Sequence, residues 1–121
     1  MEEGRPIFHQ IAERIENDII SGSLPEEAQV PSTNEFATFY RINPATAAKG
    51  VNLLVDAGIL YKKRGIGMFV NEGSREIILK GRRKQFEADY VRPLVLEARK
   101  LGIPESQLAE MISAITKEDI A

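Results

Sequence analysis

The sequence contains no cysteine and no tryptophan. The lack of cysteine excludes a disulfide scaffold and a cysteine-ligated zinc site, and it fits a reducing cytoplasm, where we expect the protein to act. No apolar run approaches the ~18 residues of a membrane span, so we expect no membrane partner. The start from Met1 to Pro6 is acidic and polar, unlike a secretory signal peptide.

Groups suited to catalysis or metal binding are also scarce. His9 is the single histidine, and it has no carboxylate or cysteine companions at ligand spacing, which favours an exposed structural role over a metal site. Gly65-Ile66-Gly67 is not a dinucleotide fingerprint, because it precedes a strand and lacks the third glycine. No nucleophile is paired with a base. We therefore expect no enzyme activity, no cofactor and no metal.

The charge is unevenly distributed along the 121 residues. The whole chain has a formal net charge of −2, yet residues 40–71 contain five lysines and arginines against one aspartate, which gives that segment +4. A local basic face on an acidic protein can bind phosphate, because salt screening limits charge interactions to roughly 10 Å. The alternative is a solvated charged face without a ligand.

The first predicted helix runs from Pro6 to Ser21. Isoleucines recur there at every fourth position, which is the spacing of one helix face, and Gly22 is a helix stop. The segment from Ser23 to Val30 has no periodic pattern and is predicted to be a loop.

Two short helices are predicted next. Ser32 and Glu35 have the spacing of a capping box, which begins a helix over Thr33–Tyr40. Asn43 followed by proline is a second start signal, for a helix from Pro44 to about Ala57. A turn of about three residues separates them. This is the geometry of a helix-turn-helix, in which the second helix enters the major groove of DNA.

The pattern then changes from helix to strand. Ile59–Tyr61 and Met68–Val70 are predicted strands, and the basic turn Lys62–Gly67 connects them. The glycines in that turn permit a sharp bend and a close approach to phosphate. We interpret the hairpin as a two-stranded wing.

The remaining residues are predicted to be helical. Apolar side chains recur with a period near 3.6 residues from Ser74 onward. Pro93 cannot donate a backbone hydrogen bond, so a kink or break is expected near Arg92. Gly102 ends this helix, and a last helix runs from Pro104 to about Ile115.

These motifs, in this order, resemble the N-terminal domain of GntR-type bacterial regulators over residues 6–70. The similar segments are Pro6-Ile7-Phe8-His9-Gln10-Ile11, Ser21-Gly22, Pro31-Ser32, Glu35-Phe36-Ala37, Ile42-Asn43-Pro44-Ala45-Thr46, Leu54, Gly58-Ile59-Leu60 and Arg64-Gly65-Ile66-Gly67-Met68-Phe69-Val70. Only about fifty residues follow, which is similar to the YtrA-like branch. The resemblance implies a sequence-specific repressor that binds an inverted repeat of double-stranded DNA as a homodimer. In that branch the regulated genes are often those of an adjacent ABC transporter.

The sequence departs from the family pattern at four positions. Asn34 stands where the family usually has a DNA-contacting arginine, and Glu27 where a glycine is common. Gly50 replaces a usual alanine inside the second helix of the helix-turn-helix, the recognition helix. The replacement costs about 1 kcal/mol in helix propensity. Ala48 occupies a position that is often arginine. DNA contact therefore depends more on Lys49 and the wing.

The candidate DNA-binding residues lie at two helix starts and in the wing. They are Ser32, Asn34, Asn43, Pro44, Ala45, Thr46, Lys49, Arg64, Gly65 and Gly67. Ser32 and Asn43 are helix caps that could also contact DNA. The hydroxyl of Thr46 has two interpretations, a DNA contact or a solvent-exposed group, and the groove-facing first turn favours the contact.

The fold class expected overall is mainly α with a small β-wing: a winged helix-turn-helix at 1–72 and an all-helical dimerisation tail at 73–121. The tail has more apolar side chains than two short helices bury alone. The dimerisation candidates are Phe86, Tyr90, Val91, Leu94, Val95, Leu101, Leu108, Met111, Ile112 and Ile115.

Three alternatives stay open at this point. The tail could fold back on the winged helix-turn-helix of the same chain. The winged module could also bind only protein, although the charge of +4 argues against this alternative. The cluster of Lys80, Arg82, Arg83 and Lys84 could be a solvated face or an added DNA contact. The sequence does not reveal the operator, the regulated genes or a small-molecule effector.

Overall fold

The computed structural model describes residues 5–118. In chain order the elements are α1 (Ile7–Ser21), β1 (Gln29–Val30), α2 (Thr33–Tyr40), α3 (Pro44–Asp56), β2 (Leu60–Lys63), β3 (Gly67–Val70), α4 (Ser74–Phe86), a π-helical segment (Glu87–Val91), α5 (Arg92–Lys100) and α6 (Glu105–Thr116). The architecture is mainly helical with one small antiparallel sheet. The chain divides into two compact units, residues up to Gly81 and residues from Arg82.

Helix α1 supplies one side of the core of the first unit. Ile11, Ile15 and Ile19 are all buried, as their four-residue spacing predicts. The helix ends where Gly22 takes a left-handed conformation (φ 90°) and donates its N–H to the Ile19 carbonyl. A glycine is favoured there because other residues pay a steric cost at positive φ.

The helix-turn-helix is formed by α2 and α3. The capping box is present, since the Ser32 hydroxyl accepts from the Glu35 amide at 3.1 Å and the Glu35 carboxylate accepts from the Ser32 amide at 3.0 Å. Arg41, in a left-handed conformation, ends α2. The Asn43 side chain then caps α3 by accepting from the Ala45 amide at 2.8 Å. Both predicted helix starts are confirmed.

The sheet differs from the predicted hairpin. Strand β3 lies in the middle and pairs antiparallel with β2 on one side and β1 on the other. The segment Ser23–Val30 was predicted to be loop throughout, and that is wrong for Gln29 and Val30, which pair with Phe69 and Met68. Two residues are too few to produce an alternating pattern, so only the tertiary pairing reveals this strand.

The start of α4 is joined to the first unit. Ser74 is fully buried and its hydroxyl lies 2.5 Å from the Ile59 carbonyl oxygen, while Ile78 is 3 % exposed in the core. The Arg75 side chain donates to the carbonyl of Ile20, at the end of α1. The compact division therefore falls at Gly81, inside α4. That residues 1–72 are the DNA-binding domain and residues 73–121 the dimerisation tail stays a prediction.

Of the kink or break expected near Arg92, the break is wrong, because the chain stays helical through this position. Arg92 is helical (φ −60°, ψ −50°), and its N–H bonds to the carbonyl of Glu87, five residues back. The chain thus passes into α5 through a π-helical turn just before Pro93, whose missing N–H falls in the first turn of α5. Gly102 (φ 69°) follows the end of α5, and α6 begins after Pro104.

Candidate nucleic-acid interface

The N-terminal turn of α3 is exposed. Asn43, Pro44 and Ala45 are exposed, Thr46 is half-buried, and Lys49 is exposed one turn further on. On the other side of the same helix a set of apolar residues is buried, comprising Ala47, Val51 and Leu54. One face of α3 therefore packs in the core, and the face with the candidate contacts is accessible to a ligand.

The start of α2 presents backbone amides beside polar side chains. The Ser32 amide already bonds to Glu35 in the capping box, so a phosphate at that amide would have to displace a carboxylate. Thr33 and Asn34 lie in the first helical turn, where amides have no intrahelical acceptor. Asn34 is exposed. A phosphate contact at this end of α2 is therefore better assigned to the amides after Ser32.

The wing turn is held by hydrogen bonds at its tip. The Ile66 amide donates to the Lys63 carbonyl at 3.0 Å, and the Gln29 side chain of β1 donates to the Ile66 carbonyl at 3.1 Å. Gly65 (φ 79°) supplies the positive φ of the turn. A Cβ on Gly67 would lie 2.6 Å from Nε2 of Gln29. Glycine at this position therefore leaves room for the Gln29 side chain to reach the Ile66 carbonyl.

Two lysines near the candidate interface lie over aromatic rings. The ammonium nitrogen of Lys49 is 4.2 Å from the centroid of the Phe8 ring on α1. That of Lys63 is 4.5 Å from the Phe69 centroid and 5.9 Å from the Tyr61 centroid. These distances lie within the ~6 Å range of cation–π attraction.

Glu27 joins the wing to the loop before β1. Its backbone has positive φ (70°), which explains why glycine suits this position. Its N–H donates to the Val70 carbonyl, and its carboxylate accepts from the Tyr61 hydroxyl. That hydrogen bond, with desolvation and the negative charge of Glu27 as smaller causes, raises the pKa of Tyr61 above its ordinary value of 10.0.

The predicted DNA-binding residues thus form three clusters, all within the first compact unit: the start of α2, the start of α3 and the wing turn. Arg64 and Lys62 are both exposed in the wing. Lys63 was counted in the basic segment but not singled out from the sequence. Strand alternation places it on the same face as Tyr61, which is the signal that could have identified it.

The second unit has almost no apolar core of its own. Within residues 82–118, Ala98 is the one buried apolar residue. Eight of the ten dimerisation candidates are exposed, at 36–67 %: Phe86, Tyr90, Leu94, Val95, Leu101, Met111, Ile112 and Ile115. Val91 and Leu108 are half-buried. A set of apolar side chains this large is typical of a surface that another molecule covers.

The remaining candidates lie on the surface. His9 is exposed on α1, as are Lys80, Arg83 and Lys84 on α4, and Arg82 is half-buried. Along the described residues, no helix combines the length and the apolar character needed to cross a membrane.

Comparison with known proteins gives a consistent result. Residues 8–70 match the family model described as bacterial regulatory proteins, gntR family. The HTH-type transcriptional repressor YtrA of Bacillus subtilis is 26 % identical over 93 % of this chain and 86 % of its own length. A crystal structure of a GntR-family regulator from Bacteroides thetaiotaomicron is 32 % identical, with a TM-score of 0.79 over 92 % of this chain and 96 % of that one.

A solved DNA complex is also similar. The DNA-binding domain of AraR with operator ORX1 is 30 % identical, with a TM-score of 0.54 over 58 % of this chain and 86 % of that one. The similar relatives and folds are DNA-binding regulators rather than enzymes.

Proposed function

The chain belongs to the gntR family of bacterial regulatory proteins, and from that premise we propose that it represses transcription by binding an inverted-repeat operator as a homodimer. That it is a DNA-binding transcriptional regulator follows from the family and its relatives. The proposal adds the symmetry of the operator, the dimer and the contacting residues. We place its action in the cytoplasm, where the DNA is.

The observation that carries the proposal is the exposed start of α3. Asn43 caps α3 by accepting from the Ala45 amide, so the first turn of this helix is ordered and does not fray. Ala45 is small and exposed there, so the helix axis can approach the base edges closely. In helix-turn-helix proteins the N-terminal residues of this helix contact bases in the major groove.

The contacts divide into two kinds. We assign Asn34 and Thr46 to the bases, because an amide or hydroxyl can bond to base edges and the threonine methyl suits thymine. We assign Lys49 and Arg64 to phosphate. At each of the three clusters the backbone must come close to the DNA. The residues that we expect to permit this close approach are Ser32, Asn43, Pro44, Ala45, Gly65 and Gly67. Base contacts determine which sequence is bound, and phosphate contacts determine position.

The exposed apolar surface of the second unit supports the homodimer. Two identical winged helix-turn-helix domains that contact two half-sites distinguish DNA sequences much better than one domain does, since a single helix-turn-helix contacts few base pairs. The same apolar surface on a second copy is the partner that a two-fold axis provides. Leu94 on α5 and Ile112 on α6 are 43 % and 50 % exposed, so both helices contribute.

The test is selection of DNA from a random pool by the purified chain, followed by sequencing. An enriched inverted repeat supports the proposal, whereas enrichment of a single half-site or of nothing contradicts it. Thr46→Ala and Asn34→Ala are then compared on the selected operator and on random DNA. Both variants should lose affinity for the operator and little for random DNA, and an equal loss on the two would contradict the base assignment.

The regulated genes are proposed from family resemblance alone. We place the operator beside an ABC transporter operon, as in the YtrA-like branch. A gel shift with the promoter upstream of the protein's own gene, at several salt concentrations, tests this location.

A further inference from the structure

We propose that Phe8 and Phe69 are positioning residues for DNA binding. Each ring holds the ammonium group of a lysine that contacts phosphate, Lys49 on α3 and Lys63 in the wing. The inference rests on the proposed DNA binding, and it adds Lys63 to the interface.

The ring of Phe8 is a fixed platform. Helix α1 approaches α3 so closely at Gly50 that a Cβ there would lie 2.6 Å from the Phe8 carbonyl oxygen. This close approach fixes the backbone of Phe8 beside α3. The ring centroid of His9 lies 4.4 Å from that of Phe8, and Phe8 is half-buried. The ammonium of Lys49, 4.2 Å from the Phe8 centroid, therefore lies over a half-buried ring whose backbone is packed closely against α3.

The platform in the wing consists of two rings. Tyr61 and Phe69 are directly opposite each other on β2 and β3 and stack at 5.9 Å between centroids. Lys63 lies on the same face and pairs with Gly67, which has no side chain. The Gln29 side chain occupies the space beside Gly67, and the Lys63 ammonium lies over Phe69, 4.5 Å from the ring centroid.

Positioning matters because lysine is flexible. Its four-carbon stem loses rotamer freedom when the ammonium is fixed on a phosphate. A ring that restricts the stem beforehand reduces that loss. The ammonium has three N–H donors, so one side can face the ring while the other side contacts phosphate. Both lysines are exposed, which leaves that second side accessible.

The expected effect is modest and specific. Removing the ring should weaken DNA binding about two- to fivefold, the range expected for one exposed cation–π contact or one ordered side chain. The lysine still reaches its phosphate, so the salt dependence should keep its slope. Removing the lysine charge should instead lower the slope by about 0.9.

A double-mutant cycle on the full chain tests the inference. Affinity for the selected operator is measured for the wild type, Phe8→Leu, Lys49→Met and the double variant, and likewise for Phe69→Leu with Lys63→Met. Leucine keeps apolar volume without a ring, and methionine keeps the stem without the charge. The leucine substitution should weaken binding only when the lysine is present. Phe8→Tyr, which keeps a ring, should bind like the wild type.

Phe39→Leu is the matched control. Phe39 is 74 % exposed on α2, and among the described residues no lysine lies over its ring. This substitution should leave affinity unchanged. Equal losses for Phe8→Leu with and without Lys49 would overturn the inference, since the ring would then act through packing alone. A chain that binds no operator DNA contradicts the proposed function itself, which is a different result.

A measurement on the unaltered protein covers the case in which a variant does not fold. The side-chain protons of Lys49 and Lys63 that lie over the rings should have NMR shifts displaced upfield, both in the free protein and in the operator complex. Ordinary lysine shifts in the free protein, or a displacement that disappears in the complex, would overturn the inference.

Discussion

Gly50 occupies the point where two helices meet most closely. Inside a helix, glycine is about 1 kcal/mol less stable than alanine, yet here the glycine is buried between α1 and α3. An added methyl group would lie 2.6 Å from a backbone oxygen of Phe8 and 3.2 Å from the Cβ of Ile11. The departure from the family's usual alanine thus has a steric explanation that the sequence does not show.

Two glycine-to-alanine substitutions should have opposite effects. Gly50→Ala should lower the free energy of unfolding by about 1–3 kcal/mol, because a helix backbone must shift. Gly81→Ala, inside α4, where the new Cβ would meet no atom within 4 Å apart from the adjoining backbone of its own helix, should raise it by about 1 kcal/mol. Urea unfolding of both variants measures the difference. A Gly50→Ala variant more stable than the wild type would contradict the close approach of the helices.

The Tyr61–Glu27 hydrogen bond predicts a pH effect. The raised pKa of Tyr61 means that its hydroxyl stabilises the folded state fully below pH 10.0 and that this contribution is lost as pH rises through the folded-state pKa. Glu27→Gln should bring the ionisation of Tyr61 back toward the ordinary value. Ultraviolet titration measures it, with Tyr61→Phe to identify the signal.

At the scale of elements, local chemical signals predicted the helices well. The Ser32–Glu35 capping box, the Asn43-Pro44 start and the stop at Gly22 each involve residues close in sequence, and all three are confirmed. Strand β1 was missed because its stability comes from β3, about forty residues later. The π-helical turn was missed because a single period of 3.6 residues cannot represent it.

The same distinction applies to the candidate site. Exposure of the α3 start and of the wing turn could be predicted from helix and strand periodicity. The ring under Lys49 could not, because Phe8 and Lys49 belong to different helices, and the distance between the two depends on how closely Gly50 lets those helices pack.

The recognition helix and the wing should contribute separately to DNA affinity. Lys49→Ala and Arg64→Ala should each weaken operator binding and lower the slope of log affinity against log salt by about 0.9, because each removes one phosphate contact. Both residues are exposed, so thermal unfolding should change little. Unchanged affinity in both variants would remove these residues from the interface.

At the scale of the whole molecule, the described part of the second unit has too few buried apolar residues to be stable alone. Ala98 is the one buried apolar residue of 82–118, and a segment this short needs a partner or a larger core. The first unit includes the start of α4, through Ser74 and Ile78. A truncated form that keeps the contacts of Ser74 and Ile78 with the first unit should therefore end after Gly81.

Charges on the apolar surface of the tail should produce a monomer. In the proposed homodimer, Leu94→Asp combined with Ile112→Asp would bury two carboxylates of each chain in the interface, so sedimentation of the full chain should show a monomer. Affinity for the inverted repeat should fall by about 10²-fold or more, toward that of one half-site.

Phe39→Asp, at an even more exposed apolar residue of the first unit, is the control and should leave the proposed dimer intact. A double variant that remains dimeric would assign the interface to another surface.

The π-helical turn at Glu87–Val91 has a consequence for evolution and alignment. Such a turn accommodates one residue more than an α-helical turn without ending the helix. The segment therefore has the form of a single-residue insertion. After it, each residue of α5 points in a different direction from the one that continuing the α-helical period of α4 would give. We expect relatives with a regular helix here to be one residue shorter between Gly73 and Pro93. An alignment without that gap would match the apolar side chains of α5 to solvent-facing positions in those relatives.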